Sequence, residues 1–202
     1  MGPTMSDRKL TLADIRDLRA YERERDDFRR HIIALKKLRR IGVGPFVTVV
    51  FENRDTVRFQ IQEMARVEKL ITDEAIETEL RIYNPLIPAA GSLATTMFIE
   101  LVSDADLREW LPKLVGIETA LILKLGSDGA TTVRCVVDPD HEKFLTREAT
   151  TASVHYVHFE LTPSQVESFA AGPVALAVDH PAYRHETELS DERRAELLTD
   201  LR

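Results

Sequence analysis

The 202-residue chain has one cysteine, so no disulfide can form within it, and a reducing compartment is the expected setting. No apolar run approaches the ~20 residues of a membrane span. The start of the chain lacks an apolar signal core, so a cytoplasmic protein with no membrane contact is expected. No Walker, G-x-G-x-x-G or G-x-S-x-G pattern occurs, nor H-E-x-x-H or C-x-x-C. Gly42-Val43-Gly44 precedes a strand, whereas a phosphate loop would follow one and open a helix, so it carries no nucleotide reading. Cationic excess is lacking too: 27 Lys+Arg stand against 34 Asp+Glu, a net charge of −7, which argues against a dedicated nucleic-acid binder.

The periodicity of what is present predicts about six helices and six strands. Residues 1–4 read as an alternative or appended start before Met5, and 5–202 as one domain. A capping pair, Thr11 and Asp14, opens a long helix over about 12–40, carried by Ile15, Leu18, Tyr21, Phe28, Ile32, Leu35 and Leu38. Helices follow at about 57–71, capped by Asp55 or Thr56, and at about 74–83, stopped by Asn84-Pro85. The Pro/Gly stretch 85–92 is the candidate hinge. Ser103 with Asp106, Thr162 with Gln165, and Ser190 announce three more helices. Strands are expected at about 46–52, 96–102, 118–125, 131–138, 152–161 and 174–178, with a hairpin across Gly126-Ser127-Asp128-Gly129. The intermixed order and the tight hairpin predict an α+β fold: a mixed, largely antiparallel sheet with helices packed on it and a long N-terminal helix.

Polar residues in apolar company are the candidates for chemistry. On a helix over 57–71, Val57, Ile61, Met64 and Ile71 share an arc, and Glu68 and Gln60 fall inside it. A carboxylate there pairs with a buried arginine such as Arg54 or Arg134, escapes through a kink, or serves as a metal ligand or general base. Along 153–161, His155 alternates onto the face of Val157, Phe159 and Leu161, either as a satisfied core histidine or as a ligand. Asp179 and His180 sit at a strand end beside Tyr183, and Asp138-Pro139-Asp140-His141-Glu142 follows another strand; such pairs make turns, or place a site. Glu68, His155, Asp179 and His180 are therefore the candidate metal ligands, and Gln60 and Tyr183 the candidate pocket residues. Cys135 alternates with Val133 and Val137 and is expected in the core.

Residues 29–40 carry six cations and no acid: Arg29, Arg30, Lys36, Lys37, Arg39 and Arg40. Bases at a helix end suit the macrodipole. They also make a candidate docking surface for an acidic partner, and the helix itself is a candidate for self-association.

Leu12-Ala13-Asp14-Ile15 with Tyr21-Glu22, then Phe51-Glu52-Asn53-Arg54, Gln60-Ile61-Gln62-Glu63-Met64, Tyr83-Asn84-Pro85 and Asp179-His180-Pro181, resemble a bacterial family whose domain has no assigned function. The resemblance runs over nearly the whole chain from Met5. It implies a setting beside rubrerythrin-like and iron–sulfur redox proteins, with no catalytic residues or cofactor to transfer. The chain itself lacks the Cys ligands of an iron–sulfur protein and the Glu-x-x-His pairs of a di-iron bundle. An accessory or binding protein of a redox or oxidative-stress system is the leading expectation. The alternative is a metal- or cofactor-dependent enzyme built on Glu68, His155, Asp179 and His180.

Overall fold

The computed structural model describes residues 8–126, 129, 131–137 and 150–202. The residues expected to form the appended start lie outside these, as do Ser127 and Asp128 of the hairpin loop and the segment around His141.

The expected 12–40 helix is two pieces. A single 3-10 turn, Leu12–Asp14, carries the Thr11/Asp14 capping box. Ile15 then turns extended, and helix α1 runs Leu18–Arg39 with the Asp17 carboxylate accepting from Ala20 N at 2.9 Å. The break is held from elsewhere: the buried Gln62 amide accepts from Arg16 N at 2.7 Å and donates to Arg16 O at 3.1 Å. Leu12, Ile15 and Leu18 keep their apolar role by packing on a helical cluster, which explains the helix-like spacing.

That cluster is built by α2 (Arg54–Glu68) and α3 (Asp73–Tyr83), through Val57, Ile61, Ala65, Ile76 and Leu80. The α2 cap is Asn53, which accepts from Thr56 N, rather than Asp55 or Thr56. Three further helices among the described residues are α4 (Asp104–Lys113), α5 (Pro163–Ala171) and α6 (Asp191–Leu201), capped by Ser103, Thr162 and Ser190 as their sequences predict.

The α+β expectation holds, with the strands in two wholly antiparallel sheets rather than one. Five strands, β1 (Arg40–Val43), β2 (Val47–Glu52), β3 (Ser92–Ile99), β6 (Val136–Val137) and β7 (Val154–Glu160), lie in the order β1-β2-β3-β7-β6. Four more, β4 (Leu121–Leu125), β5 (Thr131–Arg134), β8 (Val174–His180) and β9 (Tyr183–Glu188), lie in the order β5-β4-β8-β9. The chain crosses between sheets at Cys135, a residue buried as expected, whose N–H donates to Leu121 O. At the opposite edge the Tyr183 hydroxyl donates to Val43 O at 2.6 Å, and the Thr187 hydroxyl to Gly42 O at 2.7 Å. Gly44, at φ +75°, is required there, because a Cβ would lie 2.5 Å from both the Tyr183 hydroxyl and the His185 ring. Two strands were missed by periodicity: β1 follows the helix with no loop, and β9 is mostly polar and exposed.

Between the sheets lies the main core, with Ile41, Val49, Phe51, Met97 and Phe159 from one and Leu121, Leu123, Leu176 and Val178 from the other. Helices α5 and α6 add Val166, Phe169, Leu197 and Leu201 to it. The stretch 85–92 is pinned on both sides: Lys9 Nζ donates to Asn84 O and Ile87 O, and Gly91 N to Leu201 O.

Two charged networks fasten α1. Near its start, the Glu63 carboxylate accepts from the buried Tyr21 hydroxyl and from Arg25 Nε, both at 2.8 Å, and from Arg25 NH2 at 3.0 Å. At its end, the Arg39 side chain, 1% exposed, bonds Glu196 at 2.9 Å and Asp200 at 2.7 and 3.1 Å, both on α6. Removing Arg39 strands two carboxylates, so Arg39→Ala should lose about 3 kcal/mol in urea unfolding. The exposed Lys37→Ala should change stability by less than about 0.5 kcal/mol. The Arg25 hydrogen bond holds Glu63 down at about 2, against an ordinary 4.5. A depressed carboxyl stabilises fully above its unfolded pKa. This contribution is therefore complete above pH 4.5 and lost as pH falls toward 2. Glu63→Gln should lower stability at pH 7 and flatten its fall over that window, read from urea midpoints.

Candidate functional site

The residues expected to form one metal site are held separately. Glu68 is the last residue of α2 and is exposed. Lys69 ends the helix in the left-handed region at φ 56°, so Ile71, 82% exposed, lies beyond it and does not define its arc. The buried arc is Val57, Ile61, Gln62 and Ala65, and Gln62 takes the inward polar position expected for Glu68 and Gln60. Across the α2–α3 gap, burial raises the Glu79 carboxyl, and the negative charge of Glu68 raises it further.

His155 does face inward, paired across strands with Met97. Its Nε2 lies 2.9 Å from Ala152 O, to which it donates, and 2.9 Å from the Thr151 hydroxyl. Burial pushes its pKa below 6.5, against the opposing pull of the Glu118 carboxylate. His180 uses both ring nitrogens to brace the β8–β9 turn: Nε2 donates to Val115 O at 3.1 Å and Nδ1 accepts from Ala182 N at 3.2 Å. Asp179 points the other way, toward Arg184 at 3.3 Å and Arg134 at 3.8 Å. The Tyr183 hydroxyl is committed to the sheet seam, accepting from Phe46 N and Val47 N as well as donating. No group of three or more His, Cys, Asp and Glu could hold a metal ion among the described residues.

The basic segment does not present one face. Arg39 is buried on α6, Arg30 pairs with Asp27, and Arg40 pairs with Glu100. Arg29 and Lys37 are exposed, while Lys36 is half-buried and lines a cavity.

That cavity, about 250 Å³, lies between the helices and the outer face of the five-stranded sheet. Period-two alternation puts Val50 and Glu52 of β2, Thr96 and Phe98 of β3, and Val154 and Tyr156 of β7 on this face, with Val50, Thr96 and Tyr156 in one cross-strand row. The outer face of β7 thus lies partly under helices. Lys36 from α1, Arg40 just beyond it, and Thr56, Val57 and Gln60 from α2 form the roof; Tyr83 and Leu86 close one side. Gln60 lines this cavity from the exposed flank of α2 rather than from its buried arc.

Glu52 is the organising group. Its Oε2 accepts from the Thr56 hydroxyl at 2.6 Å and its Oε1 from the Thr96 hydroxyl at 2.7 Å. No Lys, Arg or His lies within 4 Å of it, and no carboxylate within 4 Å of Lys36, among the described residues. Burial raises the Tyr156 phenol, and the nearby Tyr83 and Glu52 raise it further. Two opposite charges therefore share one small cavity without pairing with each other.

Sequence reasoning missed Glu52, Thr56, Thr96, Tyr83 and Tyr156 as site residues. A signal existed in the resemblance, whose segments Phe51–Arg54, Gln60–Met64 and Tyr83–Pro85 each contribute one residue to the cavity. The structural positions of His155 and Glu68 predict opposite responses to truncation. His155→Ala, which removes the ring from a buried site and leaves the Thr151 hydroxyl and the part-buried Ala152 carbonyl without their partner, should lose about 1–3 kcal/mol. Glu68→Ala should stay within about 0.5 kcal/mol. Chemical unfolding of both variants checks this.

Comparison with known proteins adds the family. No curated protein matches the chain. A crystal structure of a protein of unknown function from Burkholderia pseudomallei K96243, at 1.90 Å, is 32% identical, with TM-score 0.87, over 96% of this chain and 100% of that one. The model of the DUF3501 family, proteins of unknown function, matches residues 9–201, and the chain belongs to that family.

Proposed function

We propose that the protein binds a small molecule in the cavity between α1, α2 and the five-stranded sheet, as an accessory protein of a bacterial redox system. One observation carries the binding reading: Lys36 and Glu52 line the same cavity, and neither has a counter-ion within 4 Å among the described residues. Structures that leave charges half-buried and unpaired lose stability by it, so such an arrangement is retained where something else meets them. The apolar walls of Val50, Val57, Phe98 and Val154, with a few convergent polar groups, have the make-up of a ligand site. The redox setting is what the family resemblance implies. Arg29 and Lys37, exposed and without an ion pair among the described residues, are the cations that would face an acidic partner there.

Gln60 is exposed at the cavity rim, so Gln60→Trp should fill the cavity without unfolding the protein. A ligand-observed NMR screen over anionic, cationic, neutral and amphoteric fragments should give hits that this variant abolishes. Hits of equal strength in the variant would place binding elsewhere and overturn the reading.

A further inference from the structure

We infer that the cavity takes an amphoteric small molecule, one carrying a carboxylate and a protonated amine on a single apolar body. The inference rests on the binding reading above and deepens it. The charges facing the cavity have opposite sign and different supports. Glu52 is anchored on β2 by two hydroxyls, from Thr56 and Thr96, that occupy one lone pair on each oxygen and leave others open. Lys36 reaches in from α1, and the neighbouring Arg40 is already engaged with Glu100. A solute bearing only an acid would meet Lys36 while bringing its charge into the field of Glu52. A solute bearing only an amine would have the converse problem. A solute bearing both neutralises each, and charge-assisted hydrogen bonds are the stronger kind.

The rest of the lining sets the body. Val50, Phe98 and Val154 are apolar, while the Gln60 side-chain amide and the Tyr83 hydroxyl make no hydrogen bond among the described residues and are open to a polar substituent. At about 250 Å³ the cavity is smaller than typical sites for drug-sized ligands, which suits a molecule the size of one amino acid.

The test compares three probes with one ring and different charges: L-phenylalanine, 2-phenylethylamine, which lacks the carboxylate, and 3-phenylpropionate, which lacks the amine. Affinities are read by NMR titration of the full chain. L-phenylalanine should bind at least about tenfold tighter than either, the worth of one charged hydrogen bond. Lys36→Met should bring L-phenylalanine down to the level of 2-phenylethylamine, and Glu52→Gln to that of 3-phenylpropionate. Lys36 is half-buried at the roof, and its side chain makes no hydrogen bond or ion pair among the described residues, so the first variant decides the matter even if the second misfolds. Equal affinities, a preference for a singly charged probe, or no binding of any probe would overturn the inference. With cavity-dependent hits in the broader fragment screen, any of these leaves the binding reading standing. Binding that Gln60→Trp does not touch would overturn both.

Discussion

The Arg39 guanidinium, buried between Glu196 and Asp200, is the contact on which the arrangement turns. It joins the last residue of α1 to a helix more than 150 positions away, across everything between. An arginine taken out of water is tolerated only with its charge met and its donors occupied, so the direction of this side chain is not negotiable. Fixing it fixes the rotational phase of α1. With 3.6 residues per turn, Lys36 stands about 60° around the helix from Arg39. One residue aimed at α6 therefore aims the other over the sheet. The Tyr21–Glu63–Arg25 network does the same service nearer the helix start, setting α1 against α2.

The cavity is what remains when this clamped helix layer meets a sheet face that is not wholly apolar. The inner face of the five-stranded sheet gives Val49, Phe51, Met97 and Phe159 to the main core. The outer face carries Thr48, Glu52 and Thr96 among its apolar residues, and a carboxylate in such a place needs donors. Two hydroxyls supply them, one from the sheet and one from the first turn of α2. The site thus belongs to no single element.

Legibility followed the range of the forces. Helices α5 and α6 were visible because their caps, Thr162 and Ser190, act within three residues. The break at 15–17 was not, because Gln62 imposes it from 46 positions away. The arc of α2 was drawn toward Met64 and Ile71 rather than toward Gln62 and Ala65, since a wheel drawn to Ile71 assumes a helix that Lys69 ends. His155 was rightly turned inward by alternation alone, yet its partners were not foreseeable from spacing. For the cavity, Lys36, Arg40 and Gln60 stood out individually. Their meeting with Thr96 and Tyr156 depends on β2–β3–β7 register, which only tertiary pairing decides.

The seam between β1 and β9 has a consequence of another kind. A sheet edge presents unpaired carbonyls to any passing strand, and long exposed edges template aggregation. Here the Gly42 carbonyl of β1 accepts from the Thr187 hydroxyl, and the Val43 carbonyl at the strand's end from the Tyr183 hydroxyl. The strand that delivers them is studded with Arg184, Glu186 and Glu188. Neighbouring molecules in a crowded cell therefore meet charge where they would otherwise find a place to extend the sheet, and the chain is guarded against fibrillar growth at the margin where its two sheets come together.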